Sequence, residues 1–305
     1  MKKLFTLLLV VLMTAAFVGC SSEEPAETAP AKTEEKATEE ETKTEEPAEE
    51  PAEEPAEESV ATYADGIYYA ASEDFDANSG WKDFVVVEVK DGKIVNADWN
   101  GTNIVPQGDK LTLSPNGGYP MVEFGGAQAP WHEQAIAAEE WLLENQDPTA
   151  IEINSEGKTD AIAGVSIHVS AYYTLVQEAL ASEPVAAGEY TDGVKLAQLE
   201  ADKNGWVSAG EFTIVNGTIV SANFNGSQAD AEGNVTNKKT MGEEYGMKAA
   251  GSELEWFEQA AAAEAFVLET QGFEVEKDDS GKTDAIAGVS ISVNGFEQIF
   301  TQAMQ

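Results

Sequence analysis

Lys158–Ile167 and Lys282–Ile291 spell the same ten residues, KTDAIAGVSI, 124 positions apart. Ten consecutive identities at matched places are not chance, and other landmarks recur near the same offset. Asp65–Gly66 pairs with Asp192–Gly193, Gly80–Trp81 with Gly205–Trp206, and NADWNG (Asn96–Gly101) with SANFNG (Ser221–Gly226). Tyr119 and Met121 pair with Tyr245 and Met247, Trp131 and Gln134 with Trp256 and Gln259, and Gln146 with Gln271. The expected organisation is two tandem copies of one domain, residues 61–182 and 188–305, joined by a short Pro- and Ala-containing stretch. Two copies are too few for a solenoid.

Each copy is expected to run strand, strand, long loop, helix, strand, motif, helix. Asp83–Val89 (DFVVVEV) is β-rich, and Asp91–Gly92 turns it into Lys93–Trp99. Gly210–Val215, Asn216–Gly217 and Thr218–Phe224 take the same roles in the second copy. A helix then starts near Pro130, with Trp131, Ala135, Ala138 and Leu142 on one face. Its counterpart carries Trp256, Ala260, Ala263 and Val267, behind an expected capping box of Ser252 and Glu255. Ser170 and Asn294 are expected to cap the last helix of each copy. Hairpin strands with helices between and after them indicate an α+β fold of antiparallel strands and helices.

Residues 1–19 read as a signal peptide: Lys2 and Lys3, then an apolar run from Leu4 to Val18, too short to span a membrane comfortably. The one cysteine of the chain, Cys20, closes that run as in a bacterial lipobox, where it takes lipid. Residues 20–60 read as a disordered tether of Glu, Pro, Ala, Thr and Lys, with no apolar side chain larger than Ala from Ser21 to Glu58 to offset the entropy of folding. At ~3 Å per residue, the tether reaches on the order of 100 Å. The expected location is the extracytoplasmic face of a membrane, held there by lipid.

Fifty-six acids against 17 bases give a formal charge of −39, which excludes a nucleic-acid binder. All the bases are Lys, so bidentate guanidinium recognition of phosphate is absent. One Cys and two His (His132, His168) exclude an intrachain disulfide framework and a Cys- or His-rich metal site. His132 becomes Phe257 and His168 becomes Ser292 in the second copy, so neither is a shared catalytic group. No nucleophile–base pair or dinucleotide fingerprint recurs either, which weighs against a self-contained enzyme.

Within the repeat, Ala163–Gly164 and Ala287–Gly288 let something approach the backbone closely, and Ser166 and Ser290 precede the last helices. A tight turn there brings helix-end amides near the hydroxyl and stabilises an anion on it. A Gly-containing turn before a helix also occurs as plain topology.

Asp160-Ala-Ile-Ala-Gly164-Val-Ser166 and Asp284-Ala-Ile-Ala-Gly288-Val-Ser290 resemble the flavinylation motif of FMN-binding domains. The family pattern is Asp, two residues, Ser or Thr, Gly, Ala, then an acceptor Thr or Ser. Here Ala163 and Ala287 replace the Ser or Thr, Val165 and Val289 replace Ala, and the acceptor is Ser. The resemblance implies two covalent FMN groups, one on Ser166 and one on Ser290, attached by a flavin transferase with FAD as the FMN donor. Asp160 and Asp284 take the motif-aspartate role in modification, and Gly164 and Gly288 the motif-glycine role. Tyr119, Met121, Trp131 and Gln134, with Tyr245, Met247, Trp256 and Gln259, are candidates to line the isoalloxazine pocket; each also suits a packed core.

Lipobox, acidic tether and paired domains are together similar to surface lipoproteins of Gram-positive flavin-based extracellular electron transfer. Those relatives imply electrons arriving from a quinol-linked membrane system and leaving to extracellular acceptors such as ferric iron or free flavins. The alternative is a surface lipoprotein that binds a small ligand or flavin non-covalently, or serves as a partner platform.

Overall fold

The computed structural model describes residues 62–305; the expected signal peptide, Cys20 and the tether lie outside the described residues. Strands β1 (Gly66–Ala71), β2 (Trp81–Lys90) and β3 (Lys93–Asn103) form an antiparallel sheet in that order. Four helices follow: α1 (Lys110–Leu113), α2 (Met121–Gly125), α3 (Trp131–Asn145) and α4 (Ser170–Ala181). A second antiparallel sheet contains β4 (Gly193–Gln198), β5 (Val207–Val215), β6 (Thr218–Ala229) and the short β7 (Val235–Asn237), again in sequence order. After it come α5 (Lys238–Met241), a 3₁₀ turn (Gly242–Tyr245), α6 (Trp256–Thr270) and α7 (Asn294–Ala303). The fold is mixed α and β, with antiparallel sheets.

Both expected hairpins form. Asp91 and Gly92 have φ of 52° and 73°, Asn216 and Gly217 have φ of 52° and 76°, the positive pair that a two-residue hairpin turn demands. Asp65 Oδ1 accepts from Gly92 N at 2.9 Å and Asp192 Oδ1 from Gly217 N at 2.6 Å. The recurring Asp–Gly landmarks therefore tie a strand start to the neighbouring turn. Gln146 and Gln271 end their helices in the left-handed conformation and reach back to β3 and β6. Each clamps both backbone groups of one residue, Ile94 at 2.8 and 2.9 Å and Ile219 at 2.7 and 3.1 Å.

The helices pack by their apolar stripes. Trp131, Ala135, Ala138 and Leu142 of α3 are buried against β3, and Trp256, Ala260, Ala263 and Val267 of α6 against β6. Tyr172 and Val176 of α4, and Phe296, Ile299 and Phe300 of α7, complete a separate core behind each sheet. Strand β5 is buried on both faces. Phe212 and Ile214 belong to the core shared with α7, whereas the alternate residue Glu211 accepts from Gly108 N at 2.7 Å in the first half of the chain.

Two side-chain amides extend that seam: Asn223 Nδ2 donates to Asn103 O at 2.9 Å and Asn225 Nδ2 to Ile104 O at 2.7 Å. The connecting stretch is also pinned. Val185 N donates to Ile67 O at 2.7 Å, and Val185 O accepts from Asn216 Nδ2 at 2.8 Å.

Several local expectations are corrected. No strand lies between α3 and the first motif or between α6 and the second. Asn154 and Asp278 instead make side-chain turns, their Oδ1 atoms accepting from Lys158 N at 3.1 Å and Lys282 N at 2.9 Å, so the backbone there is satisfied without a ladder. Strands β1 and β4, unforeseen, open the sheets. Ser170 and Asn294 are the first helical residues rather than caps; Val169 and Val293 occupy the cap positions, and their amides donate to Gly157 O and Gly281 O at 2.8 Å. Pro130 is the cap of α3 rather than its first-turn residue. The capping box of α6 is Glu255 with Glu258, because Ser252 is taken up as an acceptor for Gln259 Nε2 at 3.1 Å.

Candidate functional site

Asp109 caps α1 by accepting from Thr112 N, and Asn237 caps α5 by accepting from Thr240 N. The next residue in each case is a lysine, Lys110 or Lys238, whose stem lies across a strand glycine. A Cβ on Gly101 would come within 3.1 Å of Lys110 Cδ, and one on Gly226 within 2.8 Å of Lys238 Cε. The terminal glycines of NADWNG and SANFNG thus clear a path for the lysine.

Each ammonium ends among three aromatic rings. Lys110 Nζ is 5.5, 5.6 and 5.1 Å from the centroids of Trp81, Tyr119 and Trp131. Lys238 Nζ is 5.2, 5.1 and 5.0 Å from Trp206, Tyr245 and Trp256. These distances are within cation–π range. Burial pushes the Tyr119 phenol up, with Asp83 adding to it.

Two of the three rings of each cage border a cleft. The first, about 550 Å³, is lined by Tyr119, Met121, Trp131, Lys110 and Ser166 among others. The second, about 390 Å³, is lined by Tyr245, Met247, Trp256, Lys238 and the motif residues Ile291 and Ser292 rather than Ser290 itself. Both volumes suit a small-molecule ligand, for which roughly 300–1,000 Å³ is usual. Trp99 also lines the first cleft; its ring is 2% exposed and its Nε1–H has no hydrogen-bond partner among the described residues.

Gln134 and Gln259 do not line the clefts. They hold the serines. Gln134 is 1% exposed, and its Oε1 accepts from Ser166 N at 2.7 Å, Ser166 Oγ at 3.1 Å and Ile167 N at 3.2 Å. Gln259 Oε1 repeats this with Ser290 N at 2.8 Å, Ser290 Oγ at 3.4 Å and Ile291 N at 3.2 Å. The amide groups donate to Ala129 O at 2.8 Å and Leu254 O at 3.0 Å, which fixes each carboxamide the right way round. The amides beside each serine are therefore taken by Gln, and at the helix end Val169 N and Val293 N are taken by Gly157 O and Gly281 O. Both serines are exposed residues.

Gly164 and Gly288 have φ of +82° and +79°, so the turn itself demands glycine. Close approach is not the reason in the first motif, where a Cβ on Gly164 would meet nothing within 4 Å. Asp160 and Asp284 are not gathered with the aromatic residues. Each is exposed and lines a different depression, Asp160 beside Lys158 and Asn154, Asp284 beside Lys282 and Asp278. His132 Nδ1 is 2.9 Å from Ser114 Oγ, a local hydrogen bond, while His168 is exposed at the rim of the first cleft. Among the described residues no group of three or more His, Cys, Asp or Glu is arranged to hold a metal, and no helix is long and apolar enough to cross a membrane.

The two lysines, Asp83 beside Lys110, and the tryptophans Trp81 and Trp206 were not foreseen in the site. A signal existed: Gly–Trp recurs, and the two poorly matching loops each contain an N-capping Asp or Asn followed by Lys.

No protein-family model and no curated protein matches the chain. Among solved structures, it is similar to a Clostridium thermocellum protein determined by solution NMR, at 54% identity over 40% of this chain and 94% of that one, with a TM-score of 0.32. A Clostridium perfringens protein determined by crystallography is similar at 23% identity, over 39% of this chain and 87% of that one, with a TM-score of 0.31.

Proposed function

We propose that the chain is a membrane-anchored, extracytoplasmic electron-transfer flavoprotein. It is built from two FMN-binding-type domains, residues 61–182 and 188–305, with one FMN on Ser166 and one on Ser290. The observation that carries this reading is an exposed serine, pinned by a buried glutamine, beside a cleft of aromatic rings and a lysine, built twice from matched residues.

The residues fit a flavin. A flat ring system needs aromatic and thioether walls, which Trp131, Tyr119 and Met121 supply in the first cleft and Trp256, Tyr245 and Met247 in the second. Its polar edge needs donors, for which Lys110 and Lys238 are available. FMN supplies redox chemistry when bound; the chain holds it, orients it and tunes its potential.

Attachment is a transfer in which the serine oxygen bonds to the FMN phosphate of FAD and AMP leaves, catalysed by a flavin transferase. Exposure of Ser166 and Ser290 lets such an enzyme reach them. Asp160 and Asp284, outside the clefts, serve that modification rather than electron transfer. Cys20 carries the lipid anchor, a quinol-linked membrane system donates electrons, and ferric iron or free flavins accept them.

Peptide mass spectrometry of the lipoprotein from its native host tests this. FMN-sized additions are expected on peptides containing Ser166 and Ser290, and their absence from both defeats the covalent reading. Yellow colour that is lost on acid precipitation identifies non-covalent flavin instead.

A further inference from the structure

The two clefts pair their caged lysines differently. In the first, Lys110 Nζ lies 2.6 Å from Asp83 Oδ1, with side-chain exposures of 7% and 21%, so the caged cation is neutralised inside the protein. Asp83 sits across the strands from Gly101, and the residue across from Gly226 in the second sheet is Ser208. Among the described residues, Lys238 accordingly has no close ion pair and no side-chain hydrogen-bond partner; besides its three rings it acts on the exposed Asp202 carboxylate at longer range. Lys158 also lies on the rim of the first cleft, whereas its motif counterpart Lys282 lines a separate depression, so the contrast is between the two caged lysines alone.

Behind the sheets the contrast runs the same way. Glu139 accepts from Trp99 N at 2.7 Å with no lysine beside it among the described residues. Its counterpart Glu264, which accepts from Phe224 N at 2.7 Å, is paired with Lys239 at 2.7 Å.

Reduction adds negative charge to a flavin ring, and an uncompensated cation beside it favours the reduced form. A lysine already paired with a carboxylate does so much less, because the two fields largely cancel over a few ångströms. We infer that the second cleft is the electron-accepting one of the pair: its flavin has the higher midpoint potential, and electrons on the first site pass to it. The inference rests on the covalent-FMN reading above. Electrons and protons balance within the chain. The reduced flavin at the first site is oxidised, the flavin at the second is reduced by the same two electrons, and the proton released by one is taken up by the other through solvent.

The test uses the full chain co-produced with a flavin transferase, in two variants. Ser166→Ala leaves only the second flavin and Ser290→Ala only the first, and spectroelectrochemical titration gives each midpoint potential. The second site is expected to be the more positive by at least about tenfold in the exchange equilibrium, about 30 mV for a two-electron couple. Lys238→Gln in the first background is expected to lower that potential, and Asp83→Asn in the second to raise the other. Equal midpoints, the reverse order, or a second-site potential unmoved by Lys238→Gln overturn the inference while leaving covalent flavin intact. Absence of flavin from both serines overturns the covalent reading and this inference with it.

Discussion

Replacing Glu139 by Gln is expected to flatten the pH dependence of stability between about pH 4.5 and 7. Burial is the first cause that pushes the Glu139 carboxyl from 4.5 up to about 7; the neighbouring Asp98 and Glu140 add to it, and the hydrogen bond from Trp99 N opposes it. The folded chain therefore holds this proton more tightly than the unfolded chain does. The corresponding stability is fully present below pH 4.5 and is lost as pH rises through about 7. The interval corresponds to roughly 3 kcal/mol. Gln keeps an acceptor for Trp99 N but has nothing to titrate. Glu211, also pushed up to about 7 by burial, and the exposed aspartates held low by turn amides are common to both proteins and drop out of the difference.

Urea titrations of both proteins at pH 5 and pH 8 read the effect, with m-values checked for constancy. Relative to wild type, the variant should gain on going from pH 5 to pH 8, by up to roughly 3 kcal/mol. Parallel stability curves would refute the argument, since they require the carboxyl to titrate alike in the folded and unfolded chains.

Gln134→Leu leaves Ser166 N and Ile167 N without their acceptor and is expected to cost about 1–3 kcal/mol. Amide exchange at those two positions should quicken, and flavin loading at Ser166 should fall. Gly164→Ala is expected to cost about 1–2 kcal/mol from the positive φ alone. Gly288→Ala should cost more in the same thermal melts, because a Cβ there would come within 2.6 Å of Leu254 Cδ1. Asp160→Asn is expected to lower the loaded fraction, seen by mass spectrometry, without altering the absorption spectrum of the protein that is loaded. A changed spectrum would put Asp160 against the ring, where its exposed position does not place it.

What was legible in the sequence depended on short-range physics. Asp91–Gly92 and Asn216–Gly217 announce their hairpins because few other pairs accept two positive φ values in succession. The Trp–Ala–Ala–Leu and Trp–Ala–Ala–Val stripes predict buried helix faces because helical period alone puts those residues together. The glutamine three positions after each tryptophan was expected to line the pocket, and it instead clamps the motif serine, a contact across about thirty residues that the sequence does not announce.

Other features depended on partners far along the chain. Strands β1 and β4 are short, and their apolar pattern is interrupted by polar or small residues, so they form through pairing with β2 and β5. The lysine cages draw residues from four separate segments, and a Lys opening a four-residue helix carries no local sign of the three rings it meets. The absent strand before the motif reflects side-chain turns at Asn154 and Asp278, whose oxygens satisfy the backbone in place of a neighbouring strand.

The seam between the sheets carries a consequence of a different kind. Its direct contacts include Asn223 and Asn225 bonding to the backbone of residues 103 and 104, and Glu211 bonding to Gly108. Apolar faces slide against one another, whereas amide-to-carbonyl bonds accept only a narrow range of angles. The two clefts are therefore held at one spacing and one mutual orientation, set by the angles of those few bonds.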